Sequence, residues 1–151
     1  MYQHILIPVD GSPTSERGLR EAVRLAADQK AKVHLLHVVD DFPLLIQMSS
    51  PFSFENLMRE ARVNGERLLA SGRQVAIDAG VQAETALREV TRCRVADVVV
   101  DEAGKAGCDL IVMGTHGRRG FSLLGLGSDA ERVVRASPVP VLLVRGEADH
   151  A

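Results

Sequence analysis

Four stretches of the chain are apolar almost throughout: Ile5-Leu6-Ile7-Pro8-Val9, Val33 to Val39, Leu110-Ile111-Val112-Met113 and Val139 to Val144. Continuous β-rich runs of this length suit strands covered on both faces, as a parallel sheet requires. A fifth candidate, Val81 to Leu87, alternates instead. Val81, Ala83, Thr85 and Leu87 face one way while Gln82, Glu84 and Ala86 face the other, the pattern of a half-exposed edge strand. Helical periodicity fills the intervals. Ser12-Pro13 reads as an N-cap followed by proline at the first helical position, with Leu19, Ala22, Val23 and Ala26 on one face. Leu57, Ala61, Leu68, Val75 and Ala76 mark a longer helix, and Val95, Val98, Val99, Ala103 and Ala106 a third. Ser128-Asp129-Ala130-Glu131 reads as a capping box opening a fourth, with Val133 and Val134 inward. The segment Asp40 to Phe54, with Pro43, Pro51 and three serines, reads as a loop. The alternation of strands and helices predicts an α/β fold with right-handed crossovers and helices on both faces of one sheet. Placing the alternating strand at an edge and the wholly apolar first strand at the centre gives an open five-stranded parallel sheet in the order 3-2-1-4-5.

Composition narrows the function. A chain of 151 residues fits one domain, here expected over residues 1–146 with a short tail at 147–151. A formal net charge of −2 and a pI near 6.2 argue against a general nucleic-acid or membrane-surface binder, which needs a basic face. Aromatic residues make up only 3%, little material for stacking on single-stranded nucleic acid. No apolar run approaches the roughly 18 residues of a membrane span, and Met1-Tyr2-Gln3-His4 leads straight into a strand rather than a signal peptide. Cys93 and Cys108 have no metal-ligand or CxxC spacing, so they read as reduced thiols of a cytoplasmic protein.

Ligands of open α/β sheets bind outside the carboxyl ends of the strands, where the strand order reverses. That rule selects Asp10-Gly11-Ser12, Val38-Val39-Asp40 and the segment from Gly114 onward. The last of these carries Gly114, Gly117 and Gly120, then Gly127-Ser128, with Arg118 and Arg119 between. Glycines let a backbone approach phosphate oxygens, and a helix opening at Ser128 offers N–H groups at its positive end. Taken singly, each feature has a structural reading as a turn, a cap or a solvated charge. Jointly they point to a phosphate-type anion.

Gly114, two residues, Gly117, nine residues, then Gly127-Ser128 resembles the nucleotide-binding signature of the universal stress protein family. The opening Ile5 to Ser12, Leu36-His37-Val38, Asp109 to Gly114 and the ending Pro138 to Val144 are similar to that family in the same order. The resemblance implies an ATP-, ADP- or AMP-binding protein. It implies that Asp10, flanked by Pro8 and Val9, approaches the nucleoside and that Val38 presents backbone groups to the adenine. Met113 and Gly114 would line the ribose, and His116, Gly117, Arg118, Gly127, Ser128 and the N–H of Asp129 would surround the phosphates. It also implies a homodimer through the last strand, Val139 to Val144, an uncharged edge that invites pairing. Asp129 departs from the usual pattern, since its carboxylate would repel a terminal phosphate unless Mg²⁺ or Mn²⁺ bridges the two.

Other signals weigh less. Gly125-Leu126-Gly127-Ser128-Asp129-Ala130 fits a dinucleotide fingerprint but follows a long loop rather than the first strand. His34 and His37 point to opposite faces of one strand, which excludes a metal site shared by that pair. No Walker lysine is present and no residue is placed to orient an attacking water. Three readings stay open: a non-catalytic nucleotide-binding regulator, favoured because phosphate-binding parts come without catalytic ones; a slow metal-assisted ATPase; and an interaction module without ligand.

Overall fold

The structure, a computed structural model, describes residues 1–41, 51–116 and 126–146, with the side chains of all but 51 and 52. Most of the expected loop, Gly117, Arg118 and the tail lie outside the described residues. In chain order the elements are β1 (His4–Pro8), α1 (Pro13–Gln29), β2 (Lys32–Asp40), α2 (Pro51–Asp78), β3 (Ala83–Val90), α3 (Val95–Ala106), β4 (Leu110–Gly114), α4 (Ser128–Ala136) and β5 (Val141–Val144). All pairings are parallel, in the order β3-β2-β1-β4-β5, as the distribution of apolar runs predicts.

Central strand β1 sorts its residues by pleat. Ile5 and Ile7 enter the core beneath α1 and α2, while Leu6 enters the one beneath α3 and α4. The helices form where expected, with local corrections: Val133 packs inward, but Val134, expected beside it on the inner face, is exposed. Ser12 Oγ accepts the Ser15 N–H at 3.2 Å, capping α1 as its sequence suggests. The inner line of α2 is Met58, Gly65, Leu69, Gly72 and Ala76, and the two glycines let the helix lie close to the sheet and to α1. At Gly65 an added Cβ would stand 2.6 Å from the His37 ring and 2.7 Å from Leu87.

Four boundaries differ from expectation. Asp40 closes β2 and α2 already starts at Pro51, so both ends of the loop expected over Asp40 to Phe54 belong to regular elements. Val81 belongs to the turn after α2: its N–H bonds the Ala76 carbonyl at 2.9 Å and its side chain is buried, so β3 starts at Ala83 and runs to Val90. The last strand is Val141–Val144, because the Ser137 hydroxyl donates to the Val139 carbonyl and accepts the Val139 N–H, folding that stretch into a turn. Finally, Gly127 rather than Ser128 caps α4. Gly127 has the extended cap conformation, its carbonyl takes the Glu131 N–H, and Ser128 is already helical, so the expected capping box does not form.

The β1–β4 joint is short, with only two registered pairs, Ile5 with Leu110 and Leu6 with Ile111, against five between β1 and β2. The Asp109 carboxylate reinforces it by accepting the N–H groups of Gln3 and His4 at 2.9 and 3.0 Å.

Candidate functional site

Strand order reverses at β1, whose two neighbours lead away in opposite directions, and a cleft of about 810 Å³ opens at its carboxyl end. That volume falls in the range of small-molecule sites. Pro8, Val9, Asp10, Val38, Met113 and Gly114 line it, as do His116, Gly127, Ser128 and Asp129. Ten residues singled out from the sequence thus meet in one place, although more than a hundred positions separate the first from the last. A second hollow of about 690 Å³, among Met1, Lys30 and Gln82 at the opposite end of the sheet, holds none of them.

The turn after β1 is built by its own polar groups. Asp10 Oδ1 accepts the Ser12 N–H at 2.8 Å and the Ser15 hydroxyl accepts the Asp10 N–H at 3.1 Å, with Gly11 at φ +82° between them. One oxygen of Asp10 is therefore fixed by the start of α1, and this orients the carboxylate at the cleft. Beside it, β1 ends at Pro8, opposite Leu36, while β2 continues to Asp40. The edge of β2 that faces β1 is thus left without a neighbouring strand from Val38 onward. Backbone groups on such an edge can hydrogen-bond a planar heterocycle.

On the other side, β4 delivers Met113 and Gly114 to the cleft floor. Here the structure supplies a reason for glycine that the phosphate signature does not. A Cβ on Gly114 would lie 2.9 Å from the carbonyl carbon and oxygen of Thr14, in the first turn of α1. Thr14 Oγ1 donates to the His116 carbonyl, tying that turn to the segment leaving β4. The buried Gly127 N–H donates to the Thr115 carbonyl at 2.6 Å, so it is committed to the loop rather than to an anion. The N–H groups of the first turn of α4, from Ser128 on, make the positive end of that helix, and Ser128 and Asp129 are exposed there.

Sequence reasoning missed several lining residues. His37 is the main one: its Nδ1–H donates to the Val9 carbonyl at 2.7 Å, holding the ring against the cleft wall. Its role rests on a contact between adjacent strands that no linear motif displays. Asn64 and Glu60 of α2, and Arg94 and Arg132 at the rim, complete the polar lining. Arg132 reaches Asp97 at 2.8 Å, joining α4 to α3, and this hydrogen bond holds the Asp97 carboxyl below its usual range.

The sequence model of the Universal stress protein family matches residues 1–145. Universal stress protein MJ0531 of Methanocaldococcus jannaschii is 34% identical over 145 residues, spanning 96% of this chain and 83% of that protein. Among solved structures, MJ0577 of the same organism superposes with a TM-score of 0.85 at 27% identity, covering 98% of this chain and 99% of that one. A universal stress protein crystallised in complex with cAMP superposes with a TM-score of 0.65, also at 27% identity, over 95% and 97% of the two chains.

Proposed function

The chain belongs to the universal stress protein family, and from that premise we propose that its cleft binds an adenine nucleotide and that the protein acts as a non-catalytic regulator in a stress response. The observation that carries this reading is the convergence of Asp10, the open edge of β2 at Val38 and the start of α4 on one cleft. Asp10 accepts from the ribose hydroxyls, the β2 edge reads the base, and the α4 terminus receives phosphate, joined by Gly117 and Arg118 of the intervening segment. The cAMP complex of a relative supports an adenine ligand. Mass spectrometry of nucleotide released from the purified protein tests the proposal, together with a hydrolysis time course. Bound adenine nucleotide without turnover is the expected result. Turnover would establish the ATPase reading instead, and the absence of nucleotide binding the interaction module.

Among the described residues, the carboxylates of the cleft do not form a group of three ligand atoms close enough to hold an ion. An Mg²⁺ or Mn²⁺ ion would therefore rest chiefly on the phosphates, with Asp129 as a protein contact. In metal-free buffer Asp129→Asn should tighten ATP roughly tenfold more than AMP, since it removes a charge facing the terminal phosphate. Added Mg²⁺ should narrow that gap in the parent. Equal effects on both nucleotides, measured by calorimetric titration, would show that the carboxylate acts only on the helix end.

The reading includes a cytoplasmic homodimer through β5. No helix among the described residues is long and apolar enough to cross a membrane, and the two cysteines are unpaired, as a reducing compartment favours. Edge strand β5 exposes Leu142, and Val134 of α4 is also exposed, whereas Val141 and Leu143 pack inward. Leu142→Lys should therefore shift the sedimenting mass from dimer to monomer without unfolding the chain. A parent protein that sediments as monomer at tens of micromolar, about where a standard-size interface associates, would overturn this part.

A further inference from the structure

A second polar cluster sits at the other end of the sheet, on the face covered by α3. His4 starts β1, His34 lies near the start of β2, and Glu84 lies directly across from His34 in the β2–β3 register. Both imidazoles are buried, 6 and 7% exposed, while the Glu84 side chain reaches toward solvent at 47%. His4 Nε2 is 3.7 Å and His34 Nδ1 3.5 Å from the same oxygen, Glu84 Oε2, and all three atoms lie within 4.8 Å of one another. His4 Nε2 is buried and has no hydrogen-bond partner. An orphaned buried nitrogen aimed at a second imidazole and a carboxylate calls for an explanation.

We propose that His4 Nε2, His34 Nδ1 and Glu84 Oε2 form a binding site for a divalent transition-metal ion, zinc by preference. Two nitrogens and one carboxylate oxygen are a donor set that zinc accepts, with water in the fourth position on the exposed Glu84 side. Ligand atoms about 2.05 Å from a tetrahedral ion lie roughly 3.3 Å apart, so the 3.5 and 3.7 Å spacings to Glu84 are close to that value, and the two imidazole nitrogens, within 4.8 Å of each other, would close in on the ion by turning their rings.

The surroundings prepare His34 for this task. Its Nε2 lies 3.0 Å from Glu102 Oε1, and Glu102 is gripped by the Arg88 guanidinium through two further contacts of 3.0 Å. With Glu102 Oε1 accepting the His34 Nε2–H, Nδ1 is left facing Glu84, the carboxylate–histidine–metal arrangement that fixes ring orientation in metal sites. Lys32 Nζ, 3.5 Å from the other Glu84 oxygen, is 41% exposed and can turn to solvent. Buried Cys108 is not among the residues whose ligand atoms come within 4.8 Å of one another here.

The rival account is a protonated His34 bridging two carboxylates, with no ion. Titrating the chelator-stripped full-length chain with zinc chloride against a chromophoric zinc chelator separates the two. One equivalent should bind, with a rise in melting temperature, and cobalt(II) should give the visible absorption of a tetrahedral site. His4→Gln and Glu84→Gln should each weaken zinc at least about thirtyfold. Glu84 is half exposed, so Glu84→Gln should keep the parent's circular dichroism and carries the test should His4→Gln misfold. Absence of stoichiometric zinc in the parent, or unchanged affinity in Glu84→Gln, overturns the proposal. Nucleotide titration serves as the independent control, because the cleft lies at the opposite end of the strands.

Discussion

Gly114→Val should lower the melting temperature by about 6–12 °C, the largest loss expected from any single change at the cleft. The added Cβ alone would stand 2.9 Å from two backbone atoms of Thr14 and 3.0 Å from its Cβ, and valine brings two methyl groups more. The obstructed atoms belong to the first turn of α1, pinned by the Ser12 cap and by the Thr14–His116 bond, so no side chain can swing aside. Overpacking of this kind costs about 3 kcal/mol, and each kcal/mol is worth roughly 2–4 °C in a chain of this size. Scanning calorimetry would check it, with Gly104→Ala as control, since a Cβ there meets nothing within 4 Å. A melting temperature within about 2 °C of the parent would mean that α1 can ride off β4 freely.

The second large effect concerns ligand. A nucleotide at 100 times its Kd stabilises the parent by about 2.7 kcal/mol, an upward shift of roughly 5–10 °C. Asp10→Asn keeps the oxygen that receives the Ser12 N–H but removes the negative charge offered to the ribose. Hydrogen bonds to charged groups are worth about 1.5–3 kcal/mol, so affinity should fall by about 30-fold. At the same nucleotide concentration the stabilisation then drops below about 1 kcal/mol, while the ligand-free melting temperature stays put. A full shift retained in Asp10→Asn would place the ribose elsewhere.

Much of this architecture is legible in the sequence because hydrophobic pattern and fold agree. A strand apolar on both sides belongs at the centre, and Ile5, Leu6 and Ile7 are fully buried there. The Ser12-Pro13 start of α1 also reads directly, since capping is a local matter. What stays hidden depends on partners distant in the chain. Val81 looks like strand because it is β-branched and apolar, yet it is buried as a turn residue whose N–H is taken by Ala76. Ser128 looks like a cap because of its hydroxyl, but the bond of the Gly127 N–H to Thr115 sets the helix start one residue earlier. Gly114 reads as a phosphate glycine, and its closest demand proves to be helix packing. Spacing along β2 says of His34 only that it faces away from His37. The network of His34 with Glu84, Glu102 and Arg88 draws on β3 and α3, which spacing along β2 cannot reveal.

The brevity of the β1–β4 joint bears on the order in which the molecule assembles. Strands β1, β2 and β3 are joined by registers of five and eight pairs between segments close in sequence, whereas β4 reaches β1 across roughly a hundred residues with two. Contacts between distant segments form late, because chain closure must precede them. The amino-terminal half can thus consolidate first as a three-stranded unit, with β4, α4 and β5 docking onto it afterwards. Asp10 and Val38 belong to the early half, and Met113, Gly114 and Ser128 to the late one. The cleft therefore comes into being only at the final docking step, and a nucleotide seated in it would act as a latch between two folding units at the point where the sheet itself holds them least.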